Sequence, residues 1–336
     1  MSASRLSVVM PVYNSRSFVG TAVDSILTQT FGDFVFYIVD DGSTDGTGDL
    51  VAEQAQRDRR IYLIQQENRG IVASLNRMLA LVDTPFVARM DADDIALPDR
   101  FARQLERMEA DVQLGALGTQ FVEIDEAGRA LSGGVAMPVG TALVHAELEQ
   151  RQPIANPTAM FRTKVLRDAG LYREAFRYCE DYDLFLRLSQ IACIDNLPEA
   201  LLLYRRSPGQ MSVLNHSVQT RQAAYARLAH RERLAGRPDP FADADVLPML
   251  SELDRVLGRA GVSAEVEAEI LFAHRYAVAS MNDAEFAHYC TAVARGTKGS
   301  GIRAVVRCLA EGRPARAFRL AKALMQGGLA NRAADS

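Results

Sequence analysis

Through its first hundred residues the chain alternates short apolar runs with segments of helical periodicity. Leu6-Ser7-Val8-Val9-Met10-Pro11 is an apolar stretch closed by a proline. Residues 19–29 follow, with Val19, Ala22, Val23, Ile26 and Leu27 at helical spacing, which predicts a strand and then a helix. The same sequence of signals recurs as strands over 34–39, 61–64 and 86–90 and helices over 50–56, 70–81 and 99–109. Such alternation predicts βαβ units, hence an α/β fold with a mostly parallel central sheet flanked by helices. After residue 110 the pattern loosens. Residues 114–124 and 130–137 flank Asp125-Glu126-Ala127-Gly128 as a hairpin, 157–162 is extended, 163–169 and 182–191 are helical, and 201–204 reads as one more strand. Beyond about residue 215 strand signals vanish. That loss divides the chain into an α/β domain over 1–214 and a helical region over 215–336, in which a connecting helix over 217–234 leads through the breaker Gly236-Arg237-Pro238-Asp239-Pro240 to a helical appendage.

In a parallel sheet, ligands gather beyond the carboxyl ends of the strands. Three polar clusters fall there: Val12-Tyr13-Asn14, Asp40-Asp41-Gly42-Ser43-Thr44-Asp45-Gly46 and Asp91-Ala92-Asp93-Asp94. The third delivers three carboxylates directly after an apolar strand, and clustered negative charge at a sheet rim is costly without a cation. Oxygen ligands alone select a hard ion, Mn2+ or Mg2+, bridging to substrate phosphates. A solvated acidic turn before the helix at Pro98 accounts for the same residues without a metal. The second cluster is not a calcium loop begun at Asp41, because Ser43 and Ala52 stand at its third and twelfth positions. Nor is Gly46-Thr47-Gly48 a dinucleotide fingerprint, since Val51 replaces the third glycine. Glu180-Asp181 suits the positive end of a helix and can equally supply a general base.

Composition narrows the class. Apolar residues make up 48% of 336, enough for two cores, and the net charge of −4 speaks against a nucleic-acid partner. Cys179, Cys193, Cys290 and Cys308 form no CxxC pair, which fits reduced thiols in a cytoplasmic protein. Residues 1–5 are too short for the front of a signal peptide. The C-terminal end is basic: Arg295, Lys298, Arg303, Arg307, Arg313, Arg316, Arg319, Lys322 and Arg332 stand against Glu311 alone, interleaved with apolar residues. Such helices suit peripheral contact with an anionic membrane face, or form a solvated basic surface packed on the first domain.

Taken in order, Pro11-Val12-Tyr13-Asn14, Asp40-Asp41-Gly42-Ser43, Asn68-Arg69-Gly70, Asp91-Ala92-Asp93-Asp94, Pro157-Thr158-Ala159-Met160-Phe161-Arg162 and Glu180-Asp181-Tyr182-Asp183 resemble the motifs of family 2 glycosyltransferases with the GT-A fold. The resemblance covers about residues 5 to 212. It implies inverting transfer of a sugar from a nucleotide-diphosphate donor, a UDP-sugar before any other, to a saccharide or lipid-linked saccharide in bacterial surface polysaccharide assembly. By the same resemblance Pro11, Val12, Tyr13 and Asn14 border the nucleotide, with Val12 and Tyr13 lining the base pocket. Asp41 hydrogen-bonds the base beside Asp40, Asn68 and Arg69 complete the nucleotide site, and Asp91 neighbours the donor sugar or ribose. Asp93 binds Mn2+ or Mg2+, and Asp181 is the base that takes the acceptor proton. Many relatives carry histidines where this chain has Asn156 and Ser207, and Arg205 or Arg206 is the expected stand-in. The absence of tryptophan removes the Gln-x-x-Arg-Trp motif of processive synthases. A catalytically impaired nucleotide-sugar-binding or scaffold protein is the rival; intact Asp93 and Asp181 speak against it, while Asn156 and Ser207 keep it open.

Overall fold

The apolar run that opens the chain lies in the interior of a sheet. The computed structural model describes residues 4–134, 136–207, 215–274, 283–294 and 301–334. In it β1 (Leu6–Val12) pairs in parallel with β2 (Phe34–Asp40), which pairs in parallel with β3 (Ile61–Gln65); on its other side β1 pairs in parallel with β4 (Phe86–Arg89). Helices α1 (Val19–Leu27), α2 (Thr47–Arg57) and α3 (Ile71–Leu79) make the crossovers. Both faces of β1 are covered, so its residues are almost all buried. Leu6, Val8 and Met10 join Val19, Ile26, Phe36 and Val51 in one core.

The second half departs from the simple alternation. β5 (Ile95–Ala96), α4 (Arg100–Ala110), β6 (Leu114–Ile124), α5 (Thr141–Glu147), β7 (Met160–Arg162), α6 (Thr163–Asp168), α7 (Glu180–Leu188) and β8 (Cys193–Arg205) follow in order. The described strands form one eight-stranded sheet in the order β3-β2-β1-β4-β7-β6-β8-β5. β7 lies antiparallel between β4 and β6, β8 runs parallel to β6, and β5 pairs antiparallel with β8 at Ile95 opposite Leu203. A polar spine joins the halves. The fully buried Arg100 donates to the Arg89 carbonyl at 2.8 Å, and Gln104 donates to the Leu117 and Thr158 carbonyls at 2.7 and 2.8 Å. Burial pulls the Arg100 guanidinium down to about 9.

Two expectations need correction. The hairpin after residue 114 keeps its turn, with Gly128 at φ 81°, but its second strand shrinks to one bridge between Ile124 and Ala130. Ser132-Gly133-Gly134 offers little to pair or pack there, and Val135 lies outside the described residues. The strand expected over 201–204 is the end of a 13-residue strand that begins at Cys193.

Packing divides the chain into two units, Met1–Val213 with Asp243–Val246, and Leu214–Ala242 with Leu247–Ser336. In the second, α8 (His216–Leu234), α9 (Leu253–Leu257), α10 (Val262–His274), α11 (Asp283–Ala294), α12 (Gly301–Ala310) and α13 (Pro314–Ala334) are described. Arg227 and Arg231 of α8 both pair with Glu269 of α10. Phe286, Tyr289, Cys308 and Leu320 centre a separate core, over which Arg316 and Arg319 lie on the Phe286 ring at 5.0 and 5.2 Å. Val306, Leu309, Phe318 and Met325 stay exposed. Arg295 and Lys298 lie outside the described residues, as do the side chains of Arg303 and Arg332. The four cysteines are free thiols, and no helix among the described residues is long and apolar enough to cross a membrane.

Candidate active site

At the end of β1, Pro11 still pairs with Val39 and Val12 is buried, whereas the Tyr13 ring is half exposed. Asn14 then takes a left-handed conformation at φ 47°, and its side chain closes the gap to the loop after β2. Its backbone N–H donates to Ser43 Oγ at 3.0 Å, and Thr44 N–H donates to Asn14 Oδ1 at 2.9 Å. Asp40 and Asp41 are both buried. Asp40 caps its own turn by accepting the Ser43 N–H at 3.1 Å. Asp41 accepts from Gln66 Nε2 at 2.7 Å and from the Arg69 and Gly70 amides at 2.9 and 2.8 Å. Three donors leave it about one further acceptor position, so it holds the 66–70 loop and retains capacity for a ligand. Asn68 and Arg69 are exposed on that loop. Gly42 makes the approach possible: at φ 80° an added Cβ would meet the Asn68 backbone nitrogen at 2.8 Å.

β4 carries a charge where a buried strand should have none. Arg89 is 3% exposed and pairs with Asp91, while its Nε–H is buried without a partner. Burial opposes its charge, but Asp91 and then Tyr172 and Asp181 hold its pKa above the ordinary arginine value. Asp91, Asp93 and Asp94 follow, with ligand oxygens within 4.8 Å of one another. Burial, then the charge of Asp91, pushes Asp93 up to about 6. Burial, then Asp91 and Asp93, raises Asp94 well above the carboxylate range. One Asp94 oxygen accepts the Arg205 N–H at 2.8 Å, while the other is buried with no hydrogen-bond partner. An orphaned carboxylate oxygen among clustered acidic side chains is the donor set a hard divalent ion fits. Asp94 therefore joins Asp93 as a candidate ligand, rather than only leading into α4.

The arginines expected to replace the missing histidines have other partners. Arg205 is buried, donating to the carbonyls of Asp93 at 2.7 Å and of Asp125 and Glu126 at 2.9 Å each, and it lies over the Phe18 ring at 4.6 Å. It clamps the corner and is not free to meet a diphosphate. Arg206 is exposed, pairs with Glu123 and covers the Tyr204 ring at 4.9 Å. Ser207 is half-buried; Pro208, Gly209 and Gln210 lie outside the described residues. Asn156 sits buried in a single 3-10 turn, its Oδ1 without a partner.

The second carboxylate group opens α7. Asp181 is partly buried, its Oδ1 accepting the Tyr182 N–H at 2.7 Å and its Oδ2 accepting from Gln152 Nε2 at 2.8 Å. Burial raises its pKa, against Gln152, the Tyr182 amide and Arg89. Glu180 beside it is raised well above its ordinary value, by burial and then by Asp181. Asp183 is structural: fully buried, it pairs with Arg173 and Arg187. Buried Tyr172, raised by burial, lies in the field of Arg89, Asp181, Glu180 and Asp91. Arg89 thus acts on the acidic corner and on Asp181 alike, which places residues far apart in sequence in one electrostatic cluster. The sequence reading missed Arg89, Gln152 and Tyr172. Only Arg89 left a signal, as a lone cation inside an apolar strand.

Comparison with known proteins identifies the family and the fold. The sequence profile of Glycosyl transferase family 2 matches residues 7–170. An uncharacterized glycosyltransferase of Haemophilus influenzae is 31% identical over 221 residues, spanning 63% of this chain and 68% of the relative. Among solved structures, S. aureus TarS 1–349 in complex with UDP-GlcNAc superposes with a TM-score of 0.59 at 17% identity, over 96% of this chain and 89% of that one. A mannosyltransferase from Pyrobaculum calidifontis, PcManGT in complex with GDP-Man and Mn2+, gives 0.53 at 17% identity, over 96% and 87%. At such identity the two structures bear on fold alone, while the profile and the relative bear on descent. This chain belongs to glycosyl transferase family 2 and has the GT-A fold.

Proposed function

We propose that the chain transfers a sugar from a nucleotide-diphosphate donor to an acceptor hydroxyl with inversion at the anomeric carbon. The observation that carries this reading is the pair of carboxylate groups, Asp91-Asp93-Asp94 and Glu180-Asp181, both in the field of the buried Arg89. A charged leaving group and a weak nucleophile require opposite assistance, a cation on one side and a base on the other.

The nucleotide is received by Pro11, Val12, Tyr13 and Asn14, with the exposed Tyr13 ring as a stacking face. Asp40, Asp41, Asn68 and Arg69 border it, Asp41 offering its remaining acceptor position to the base. Asp91 faces the ribose or donor sugar. Asp93, with Asp91 and Asp94, would hold Mn2+ or Mg2+, which supplies positive charge to the donor diphosphate. On the acceptor side Asp181 takes the hydroxyl proton as the oxygen bonds to the anomeric carbon. The bond to the diphosphate breaks at the same carbon, and its electron pair leaves with the nucleotide. Attack on the face opposite the leaving group inverts the centre. The pKa of Asp181, raised by burial, makes it a stronger base than an exposed aspartate.

The ligands named for the two solved neighbours, UDP-GlcNAc and GDP-Man with Mn2+, support this donor class and ion. A saccharide or lipid-linked saccharide acceptor, and work at the inner face of a bacterial membrane, suit the second unit. There exposed Val306, Leu309, Phe318 and Met325 lie among arginines and lysines. A non-catalytic scaffold is disfavoured, because it would carry a costly acidic cluster without using it.

The test pairs binding with turnover. A panel of nucleotide sugars is run by thermal shift with and without Mn2+, then by transfer assay, on wild type and Asp181→Asn. Asp181→Asn should keep donor binding and lose turnover by roughly 100-fold or more. Full activity in that variant would sink the assignment of the base.

A further inference from the structure

We infer that Gln152 is a positioning residue for the transfer: its side-chain amide fixes the Asp181 carboxylate and ties it to the 136–155 segment, which includes α5. Gln152 has this role only if Asp181 is the base proposed above.

Gln152 Nε2 lies 2.8 Å from Asp181 Oδ2 and 2.9 Å from the Ile154 carbonyl oxygen. Both partners only accept, so chemistry alone fixes the amide orientation; the flipped amide would set Oε1 against two oxygens. The other Asp181 oxygen is held by the Tyr182 N–H at 2.7 Å. The carboxylate is thus oriented by one donor from its own helix and one from a distant loop, with about two lone-pair positions left for a substrate proton.

The loop that carries Gln152 is itself pinned. Asn196 of β8, 2% exposed, donates through Nδ2 to the Pro153 carbonyl at 2.9 Å and to the Pro138 carbonyl at 2.8 Å. Asp195 accepts the Gly140 N–H at 2.7 Å, and Gln120 of β6 accepts the Met137 N–H at 2.8 Å. The sheet holds the loop at both ends, and Gln152 transmits that placement to the first turn of α7. A rigid donor is what a base needs when its oxygen must meet a hydroxyl within a few tenths of an ångström.

The residue type fits the task. The groups facing Asp181 are Glu180 on its own helix, Arg89 from β4 and Tyr172 from the segment between α6 and α7, with Asp91 beyond Arg89. A cation at position 152 would stabilise the carboxylate so well that it became a poor base, and a carboxylate would drive it towards protonation. A neutral amide orients it and supports its ionised form only moderately.

The experiment compares Gln152→Leu, Gln152→Glu and Asp181→Asn in the full chain. Turnover is followed with whichever of UDP-glucose, UDP-galactose, UDP-GlcNAc and GDP-mannose the wild type uses with Mn2+. In parallel, the Asp181 resonance is titrated in protein labelled with 13C at aspartate Cγ, assigned by its loss in Asp181→Asn, which needs no substrate. Gln152→Leu should lower kcat roughly tenfold while donor KM stays within about twofold. The acid limb of kcat and the Asp181 titration should both move up by about one pH unit, and further in Gln152→Glu. An unchanged Asp181 titration in Gln152→Leu, or wild-type kcat with an unmoved acid limb, overturns the role. Asp181→Asn separates the two readings. If it transfers sugar at the wild-type rate, the base assignment falls and Gln152 with it. If it is inactive while Gln152→Leu behaves as wild type, only the Gln152 role falls.

Discussion

Replacing Asp93 by asparagine should make the metal-free protein more stable at neutral pH. Asp91, Asp93 and Asp94 present ligand oxygens within 4.8 Å of one another. Two unit charges at that distance repel by about 3.5 kcal/mol at an effective dielectric constant near 20. The shift of Asp93 from the ordinary 3.8 to about 6, caused first by burial and then by Asp91, corresponds to about 3 kcal/mol. That figure is a ceiling, because Arg89 and Arg205 also act on Asp93 and solvent screens it. The sign follows from linkage. A carboxyl that holds its proton more tightly when folded contributes stability that is fully present below pH 3.8 and is lost as pH rises through about 6. Thermal unfolding in EDTA, scanned from acid to mildly alkaline pH, should therefore show a wild-type decline across this window that is smaller in Asp93→Asn, where Asp94, Glu180 and Asp181 still contribute. Above it the variant should melt several degrees higher, at roughly 2–4 °C per kcal/mol. Mn2+ should raise the wild-type melting temperature well above pH 6, much less at pH 5, and hardly at all in the variant. The same pH profile in both proteins, or an equal Mn2+ response, would refute the reasoning.

Other substitutions probe the supports of the site. Gly42→Ala forces a side chain against the Asn68 backbone at a left-handed φ, so it should cost about 1–3 kcal/mol by urea denaturation and weaken donor binding by displacing the 66–70 loop. Arg205→Lys cannot keep three carbonyl contacts and the stack on Phe18 together; a loss of roughly 2–4 kcal/mol is expected, with a smaller Mn2+ stabilisation than in wild type. The double variant Phe318→Ser with Lys322→Glu should abolish flotation with phosphatidylserine vesicles, binding that high salt should also weaken in the wild type. A wild-type chain that never binds such vesicles would end the membrane proposal.

The sequence revealed those parts of the fold whose physics is local. β1, β2 and β4 are largely buried, so they stand out as mostly apolar runs, and their polar ends marked Asp40, Asp41 and the Asp91 corner. β8 was legible only at its end, because Asp195 and Asn196 spend their side chains on the 136–155 segment and Pro198 and Glu199 interrupt the apolar pattern. Nothing local sets Asp94 apart from its neighbours, because its partner, the Arg205 amide, is 111 residues away. Gln152 was invisible for the same reason: nothing in Arg151-Gln152-Pro153 announces a contact with a carboxylate 29 residues later.

The Arg205 clamp has a consequence for synthesis as well as for catalysis. An emerging chain exposes three neighbouring carboxylates long before the strand that closes them exists, and β5 has no sheet neighbour among the described strands except β8. The β1–β3 part, which borders the proposed nucleotide site, rests on short crossovers and can fold early, whereas the acidic corner waits for the β5–β8 pairing, over 100 residues apart in sequence. Divalent ions or donor present during refolding should speed the docking of β8 without affecting the β1–β3 half.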